Sequence, residues 1–479
     1  RRAVEVDLAQ QLGPAADATV ADLAGVRGVL DALKCIEAGS SARLHFDAVG
    51  DRWDIRHQLD HALEHQGLKH LDADTPATAL SGGESMRVAL IGAQLSDADV
   101  LILDEPSNHL DQPSRQALIG WLHRWLRGLL VISHDRQLLA CMERIVELSS
   151  LGLRSYGGNY AFYAQAKAQE QQNALTELER ARLDRRREEQ SMRAQRERQE
   201  KRQARGTRNS KQANQAKILL DRQKERSEQS MGKLRRQQAG TQLELAQRMR
   251  EAAAQVVSEL HIHLHAPSNT GIAQRQVAAL DKVVLPFVPQ ATRHISLLVT
   301  GQQRIGLVGP NGCGKSTLLK VLACRIEPLA GICRITNRMV YLDQSLDGLG
   351  KQRPVLEQLQ DINHTLGEGE LRMRLAQLGL GAQKVAVQQE LLSGGERLKA
   401  ALACVLYANE PPELLLLDEP SNHLDLPSLE ALETLLTGYR GALLVASHDQ
   451  AFLSQLGLTH LLVAGAEGWA LMPVDHMTQ

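Results

Sequence analysis

Residues 309–317 read Gly309-Pro310-Asn311-Gly312-Cys313-Gly314-Lys315-Ser316-Thr317, the pattern GxxxxGK[ST] of a phosphate-binding loop. A strand is expected before it, over Arg304 to Val308, and a helix after it, over Leu318 to Leu322; the motif requires that context. Its glycines let backbone NH groups converge on phosphate oxygens, and the start of the helix adds its dipole. Lys315 is suited to neutralise the terminal phosphates and Ser316 to ligate magnesium. Cys313 fills a variable position and is expected to be inert.

Further along, Leu414-Leu415-Leu416-Leu417 reads as a buried strand that ends in two acids, Asp418 and Glu419. Adjacent acids allow a division of labour: Asp418 holds the hydrated metal, and Glu419 orients and deprotonates an attacking water. His448, after the apolar run Ala442 to Ala446, is expected to contact the terminal phosphate.

These motifs belong to a duplication. Leu80-Ser81-Gly82-Gly83-Glu84 returns as Leu392-Ser393-Gly394-Gly395-Glu396, and the nine residues Leu103 to Asp111 return unchanged as Leu417 to Asp425. Ser133-His134-Asp135 returns as Ser447-His448-Asp449, with 30 residues from the first aspartate to the histidine in both halves. Asp104, Glu105 and His134 are therefore the first-half counterparts of Asp418, Glu419 and His448.

Between the repeats, residues 164–250 hold 23 Lys and Arg against 12 Asp and Glu, leaving 32 against 44 elsewhere. The near-zero net charge of -1 thus conceals a basic middle and acidic flanks. Strong helix formers dominate this segment, which predicts two long helices, with the turn near Gly206-Thr207-Arg208-Asn209-Ser210. Lys201, Arg202, Arg205, Arg208, Lys211 and Lys217 surround that turn without an acid and form a candidate RNA-binding tip.

Together LSGGE, LLLDEPSNHLD, SHD and the phosphate loop resemble the motifs of ATP-binding cassettes. Tyr156-Gly157-Gly158-Asn159-Tyr160 followed by charged helices resembles the ABC-F family in particular. The resemblance implies an α/β fold of two P-loop NTPase cassettes, the first incomplete, joined by a long α-helical hairpin linker. The expected boundaries are 1–163 for the first cassette with a small arm-like insertion, 164–255 for the linker and 256–479 for the second cassette. It also implies a cytoplasmic ATP hydrolase using ATP and Mg2+, in which the cassettes form an intramolecular head-to-tail dimer within a monomer. Ser81, Gly82, Gly83 and Glu84 would complete the site on Lys315, and Ser393, Gly394, Gly395 and Glu396 would complete the other. Gln344 is similar to the Q-loop glutamine that joins Ser316 and Asp418 at the metal, with Asp104 serving the other site, and Phe287 is the residue expected to stack on adenine. The family's linker implies ribosome and tRNA as partners, for translation control or ribosome protection. A transporter ATP-binding subunit and a DNA-binding repair ATPase are the alternatives.

No GxxxxGK[ST] precedes Leu80. Val6-Asp7-Leu8-Ala9-Gln10 is similar to the Q-loop strand, and by the second-half spacing the first phosphate loop falls before Arg1, so the chain is expected to lack its start. An excess of about 22 residues between Gln10 and Ser81 is the expected arm-like insertion. The longest apolar runs fall short of a membrane span, and the six cysteines form no CxxC pair. His261, His263 and His265 alternate as on one face of a strand, for which a strand edge is expected rather than a metal site.

Overall fold

The computed structural model describes residues 3–6, 17–96, 98–108, 110–149, 152–212, 232, 236–237, 239–253, 275–343, 353–422 and 424–474, without the side chains of 3–6, 196, 199–200, 202–204, 206–212 and 377. They group into two compact units: residues 1–143 with 261–479, and residues 144–260.

In the first unit, β1 (Ala3–Val6), β2 (Val100–Asp104) and β3 (Gly128–Ile132) form a parallel sheet in that order. The helix Gly82–Leu95 covers one face, burying Met86 and Leu90 with Leu101, Leu103 and Leu118. Its start explains part of the LSGGE repeat: the Glu84 NH donates to Ser81 Oγ at 3.3 Å, and the Ser81 NH donates to Glu84 Oε2 at 2.8 Å. This reciprocal capping box satisfies two NH groups that a helix start leaves open. Ser393 and Glu396 repeat it at the helix Gly394–Leu406. Asp111 caps the helix Gln112–Leu122, and Pro113 fits its first turn, where an NH is dispensable.

In the second unit, β4 (Ile145–Ser149) and β5 (Gly152–Tyr156) form an antiparallel hairpin. The helix Tyr160–Gln212 follows, 53 residues long, or about 80 Å at the usual rise per residue. Its first turns are tied to the hairpin by Lys167 on Glu147 at 2.8 Å and Arg154 on Glu170 at 2.9 Å. The turn expected at Gly206 to Ser210 is corrected: the backbone there is helical. One glycine costs a helix about 1 kcal/mol, and the strong formers on either side outweigh it.

The remaining strands are β6 (Gln276–Val284), β7 (His294–Thr300), β8 (Arg304–Val308), β9 (Ala330–Ile335), β10 (Met339–Leu342), β11 (Leu414–Asp418), β12 (Ala442–Ala446), β13 (His460–Gly465) and β14 (Gly468–Pro473). An antiparallel layer runs β7-β6-β9, and a six-stranded sheet runs β10-β11-β12-β8-β13-β14, parallel except for β14. Leu415 and Leu417 enter the core on one face of that sheet, and Leu414 and Leu416 the core on the other. Burial on both faces is why the strand reads as unbroken leucine rather than as an alternation. The phosphate loop leaves the C-terminal end of β8, the edge at which parallel α/β sheets bind ligands.

The duplication extends to strand register. Val6 pairs with Leu103 as Leu342 pairs with Leu417. Gln10 and Gln344, the glutamines of the Q-loop resemblance, lie outside the described residues. Isolated bridges Thr19 to Pro76 and Pro354 to Gln388 close equivalent loops. The first loop is the longer and holds the helices Arg27–Glu37, Arg43–Val49 and Ile55–His65.

Candidate nucleotide site

Tertiary packing holds the phosphate loop from beneath. Gly314 has φ +105°, and a Cβ there would lie 2.5 Å from Val288 Cγ1, so glycine is required by both backbone and space. The buried Thr292 donates from Oγ1 to the Cys313 carbonyl at 2.6 Å, and Trp469 Nε1 donates to the Thr292 carbonyl at 2.8 Å. Cys313 is buried, and burial raises its thiol pKa, in keeping with an inert position. Lys315 Nζ donates to the carbonyls of Gly309 and Pro310 at 3.0 and 3.2 Å, staying beside the loop it serves.

Ser316 Oγ donates to Asp418 Oδ1 at 2.9 Å, and the Tyr341 hydroxyl donates to Oδ2 at 3.2 Å. Burial still raises the Asp418 pKa above the ordinary carboxylate value. Glu419 takes φ +49°, an uncommon conformation for a non-glycine residue, and its NH donates to the Ala446 carbonyl at 2.9 Å. Its Oε2 accepts the His448 NH at 3.3 Å, and His448 Nε2 stands 3.5 Å from Oε1, which has no hydrogen-bond donor among the described residues. Burial, only partly offset by Lys315, lifts Glu419 to about 7. Burial, with Lys315 and then Arg115, pushes His448 down to about 4, so its ring is neutral near pH 7. A carboxyl poised near neutrality beside an uncharged imidazole suits proton transfer.

The first half repeats this geometry. Glu105 has φ +43°, its NH donates to the Ile132 carbonyl at 2.8 Å, and burial lifts it to about 7. His134 Nε2 lies 3.6 Å from Glu105 Oε1, with its side chain 46% exposed against 10% for His448. Asp104, without the Ser316 and Tyr341 partners of Asp418, is exposed.

A cavity of about 330 Å³ opens over the phosphate loop, lined by Lys315, Ser316, Thr317, Glu419 and His448. Phe287, with φ +59° and 91% exposed, lines it as well. The first half contributes Leu110 and Arg115. Asp111 Oδ2 accepts the Asn311 NH of the phosphate loop at 3.2 Å. Ser81, Gly82 and Gly83 do not line this cavity; Gly83 instead packs so closely on Ser114 that a Cβ would meet its Oγ at 2.4 Å. A second cavity of about 320 Å³ is lined by Asp104, Glu105, His134 and Asp135 with Ser421, Asn422 and Asp449 from the second half, and Ser393 to Gly395 do not line it.

Three further residues join the halves. Arg136 makes a two-pronged ion pair with Glu433, with Nη1 to Oε1 at 2.7 Å and Nη2 to Oε2 at 3.2 Å. Arg115 lies 3.1 Å from Asp135 and donates to the His448 carbonyl at 3.3 Å. Sequence reasoning missed all of these. A comparison of the repeats beyond the shared motif would have marked Arg115, which stands where the second half has Leu429.

On the long helix, Lys201 and Arg205 are exposed. The side chains of Arg202, Arg208 and Lys211 and the whole of Lys217 lie outside the described residues, as do His261, His263 and His265. Among the described residues no group of three or more His, Cys, Asp or Glu is arranged to hold a metal, and no helix is long and apolar enough to cross a membrane.

The sequence profile of the ABC transporter family matches residues 8–108 and 292–422. The chain is 32% identical over 414 residues to the ATP-binding protein YdiF of Bacillus subtilis, covering 84% of this chain and 57% of that protein. It is 31% identical over 423 residues to YheS of Escherichia coli, covering 85% and 59%. The chain thus spans less than two thirds of the length of these two relatives. With the energy-dependent translational throttle protein EttA of Mycobacterium tuberculosis it shares 31% identity over 420 residues, covering 86% and 68%. Among solved structures, the fold is similar to that of RNase-L Inhibitor, at TM-score 0.52 and 18% identity over 99% of this chain and 75% of that one. It is also similar to the complex of archaeal ribosomal stalk protein aP1 with the ribosome recycling factor aABCE1, at TM-score 0.50 and 19% identity over 94% and 71%. With paired cassette motifs, matching strand registers and these relatives, the chain belongs to the ABC-F family of tandem ATP-binding-cassette proteins.

Proposed function

We propose that the chain hydrolyses ATP to ADP and phosphate at the site on Lys315, and that ATP-driven closure of the cassettes controls binding of the basic helical linker to ribosomal RNA or tRNA. The observation that carries this reading is the composite cavity: Lys315, Ser316, Glu419 and His448 from one half meet Leu110 and Arg115 from the other. ATP is held by the loop NH groups and Lys315, with Phe287 stacking on adenine. Glu419 accepts the proton of the attacking water, and His448 steadies the terminal phosphate. Ser316 and Asp418, oxygen donors 2.9 Å apart, fit a magnesium site; Gln344 completes it, and Asp104 serves the other site. The ion would supply charge neutralisation at the phosphates.

In this reading Ser81, Gly82 and Gly83 close onto the terminal phosphate once ATP is bound, and Ser393, Gly394 and Gly395 do so at the other site. The capping boxes support this, because they pre-form the helix starts whose dipoles attract an anion. Glu84 and Glu396 act through that cap. Glu105 and His134 take the roles of Glu419 and His448 at the second cavity.

The segment 164–255 acts as the RNA-gripping linker between cassettes 1–163 and 256–479 of a cytoplasmic monomer, with a small arm-like insertion in the first. The translational role named for EttA and the ribosome-recycling role named for aABCE1 support a ribosomal partner. So do the exposed Lys201 and Arg205 on a helix narrow enough for an RNA-lined crevice. The test is cosedimentation of the full-length Glu105→Gln/Glu419→Gln variant with ribosomes, with duplex DNA as competitor. ATP-dependent retention is expected; retention equal with ATP, ADP or no nucleotide, or lost to DNA at one salt concentration, would remove the ribosomal reading.

A further inference from the structure

Arg115 lies at the junction of the two nucleotide regions. It is 8% exposed and lines both cavities. Its guanidinium pairs with Asp135, in the histidine loop of the first half, at 3.1 Å, and its Nη1 reaches the carbonyl of His448, in the histidine loop of the second half, at 3.3 Å. One rigid planar group thus touches the loops of both repeat-related histidines, using separate nitrogens.

The duplication shows that this is no requirement of the fold. The helices Gln112–Leu122 and Leu426–Gly438 start alike, with an Asp cap, a proline and a serine, and then differ: Arg115 in the first, Leu429 in the second. Leu429 is buried and offers no donor to the first half's histidine loop. The two sites are therefore inequivalent at this position: only the site on Lys315 receives a cation from the opposite cassette through Arg115. The more buried histidine, His448, is the one whose own backbone carbonyl accepts from Arg115.

We propose that Arg115 is a positioning residue for hydrolysis at the Lys315 site, supplied by the opposite cassette: it fixes the His448 loop against Glu419 and links that loop to Asp135. It acts through His448 and not on the phosphates, for its hydrogen bond goes to the backbone carbonyl while Lys315 serves the loop. Loss of Arg115 leaves ATP able to bind but lets the His448 loop drift from Glu419, so turnover falls while affinity persists. A misplacement of about 1 Å in such a site can cost on the order of a hundredfold in rate.

This rests on the proposed ATP hydrolysis, so the wild-type rate is measured first: absence of turnover by full-length wild-type protein would remove that reading and this one with it. With wild type active, Arg115→Leu, which installs the residue found at the repeat position, is compared in steady-state ATP hydrolysis, ATP binding and thermal melting. The expected result is a kcat lower by about tenfold or more, with KM and ATP affinity within about twofold. Arg115→Gln, which keeps an amide donor for the His448 carbonyl, is expected to recover part of the loss and serves in place of Arg115→Leu should that variant unfold. Wild-type kcat in folded Arg115→Leu, or a fall in ATP affinity as large as the fall in kcat, would overturn the assignment while leaving ATP hydrolysis by the protein intact; should Arg115→Leu unfold, an Arg115→Gln kcat no higher than that of folded Arg115→Ala would do the same.

Discussion

Removing Arg136 should destabilise the cassette pair more than removing Arg136 and Glu433 together. Their side chains are each 12% exposed, and the two-pronged contact is the main compensation for a carboxylate buried between the halves. Even with that cation, burial holds the Glu433 pKa above its ordinary value. Arg136→Ala orphans the charge, which for a buried pair costs about 3 kcal/mol or more. At roughly 2 °C per kcal/mol for a large unit, the melting transition should fall by about 6 °C. The Arg136→Ala/Glu433→Gln double variant removes the orphan and should recover much of that loss.

The pH dependence has a definite sign. A carboxyl with a raised folded pKa keeps its proton in the folded state over a range where the unfolded chain has already lost it. Stability therefore falls as pH rises through that range and is regained toward acid. Without Arg136 the Glu433 pKa rises further, so the deficit of Arg136→Ala should be larger at pH 8 than at pH 5. Thermal unfolding of both variants at the two pH values tests this. A double variant as unstable as Arg136→Ala, or a deficit equal at both pH values, would refute the orphaned-charge reasoning.

Gly314→Ala should abolish ATP binding at the Lys315 site, because φ +105° and the 2.5 Å approach to Val288 both oppose a side chain; a fluorescent ATP analogue titrated against the variant reports this. Thr292→Val removes the 2.6 Å hydrogen bond to the Cys313 carbonyl and leaves a buried acceptor without that donor, at a cost of about 1–3 kcal/mol. The same titration should show ATP affinity lowered severalfold, and wild-type affinity would show that the loop needs no such anchor. Lys201→Glu/Arg205→Glu should weaken ribosome binding and reduce its salt slope by roughly one to two, measured by cosedimentation across a salt series, with ATP hydrolysis in the absence of ribosomes unchanged.

Much of the candidate nucleotide site was legible because its residues lie close together in the sequence. The phosphate loop places its NH groups, lysine and serine within nine consecutive residues, and Asp418-Glu419 follows directly from a strand. The capping role of Glu84 and Glu396 is likewise local, lying three residues from Ser81 and Ser393 in the same motif. Where local preference competes with its surroundings, the surroundings decide. Gly206 to Ser210 have turn chemistry, yet they are helical within a run of helix formers.

The sequence by itself determined the α/β class, the duplication, the order of the motifs and the polarised charge, since each is written in neighbouring residues or in spacings along the chain. Tertiary structure alone decided which distant residues meet: Arg115 with His448, Arg136 with Glu433, and Trp469 with Thr292, separated by 333, 297 and 177 positions. It also decided that Asp111 accepts from the phosphate loop, whereas Ser81 does not line the cavity over it. Periodicity and motif spacing report the face a residue presents; its partner is fixed only when those faces pack, and a buried charge or donor then requires the complement that packing brings to it.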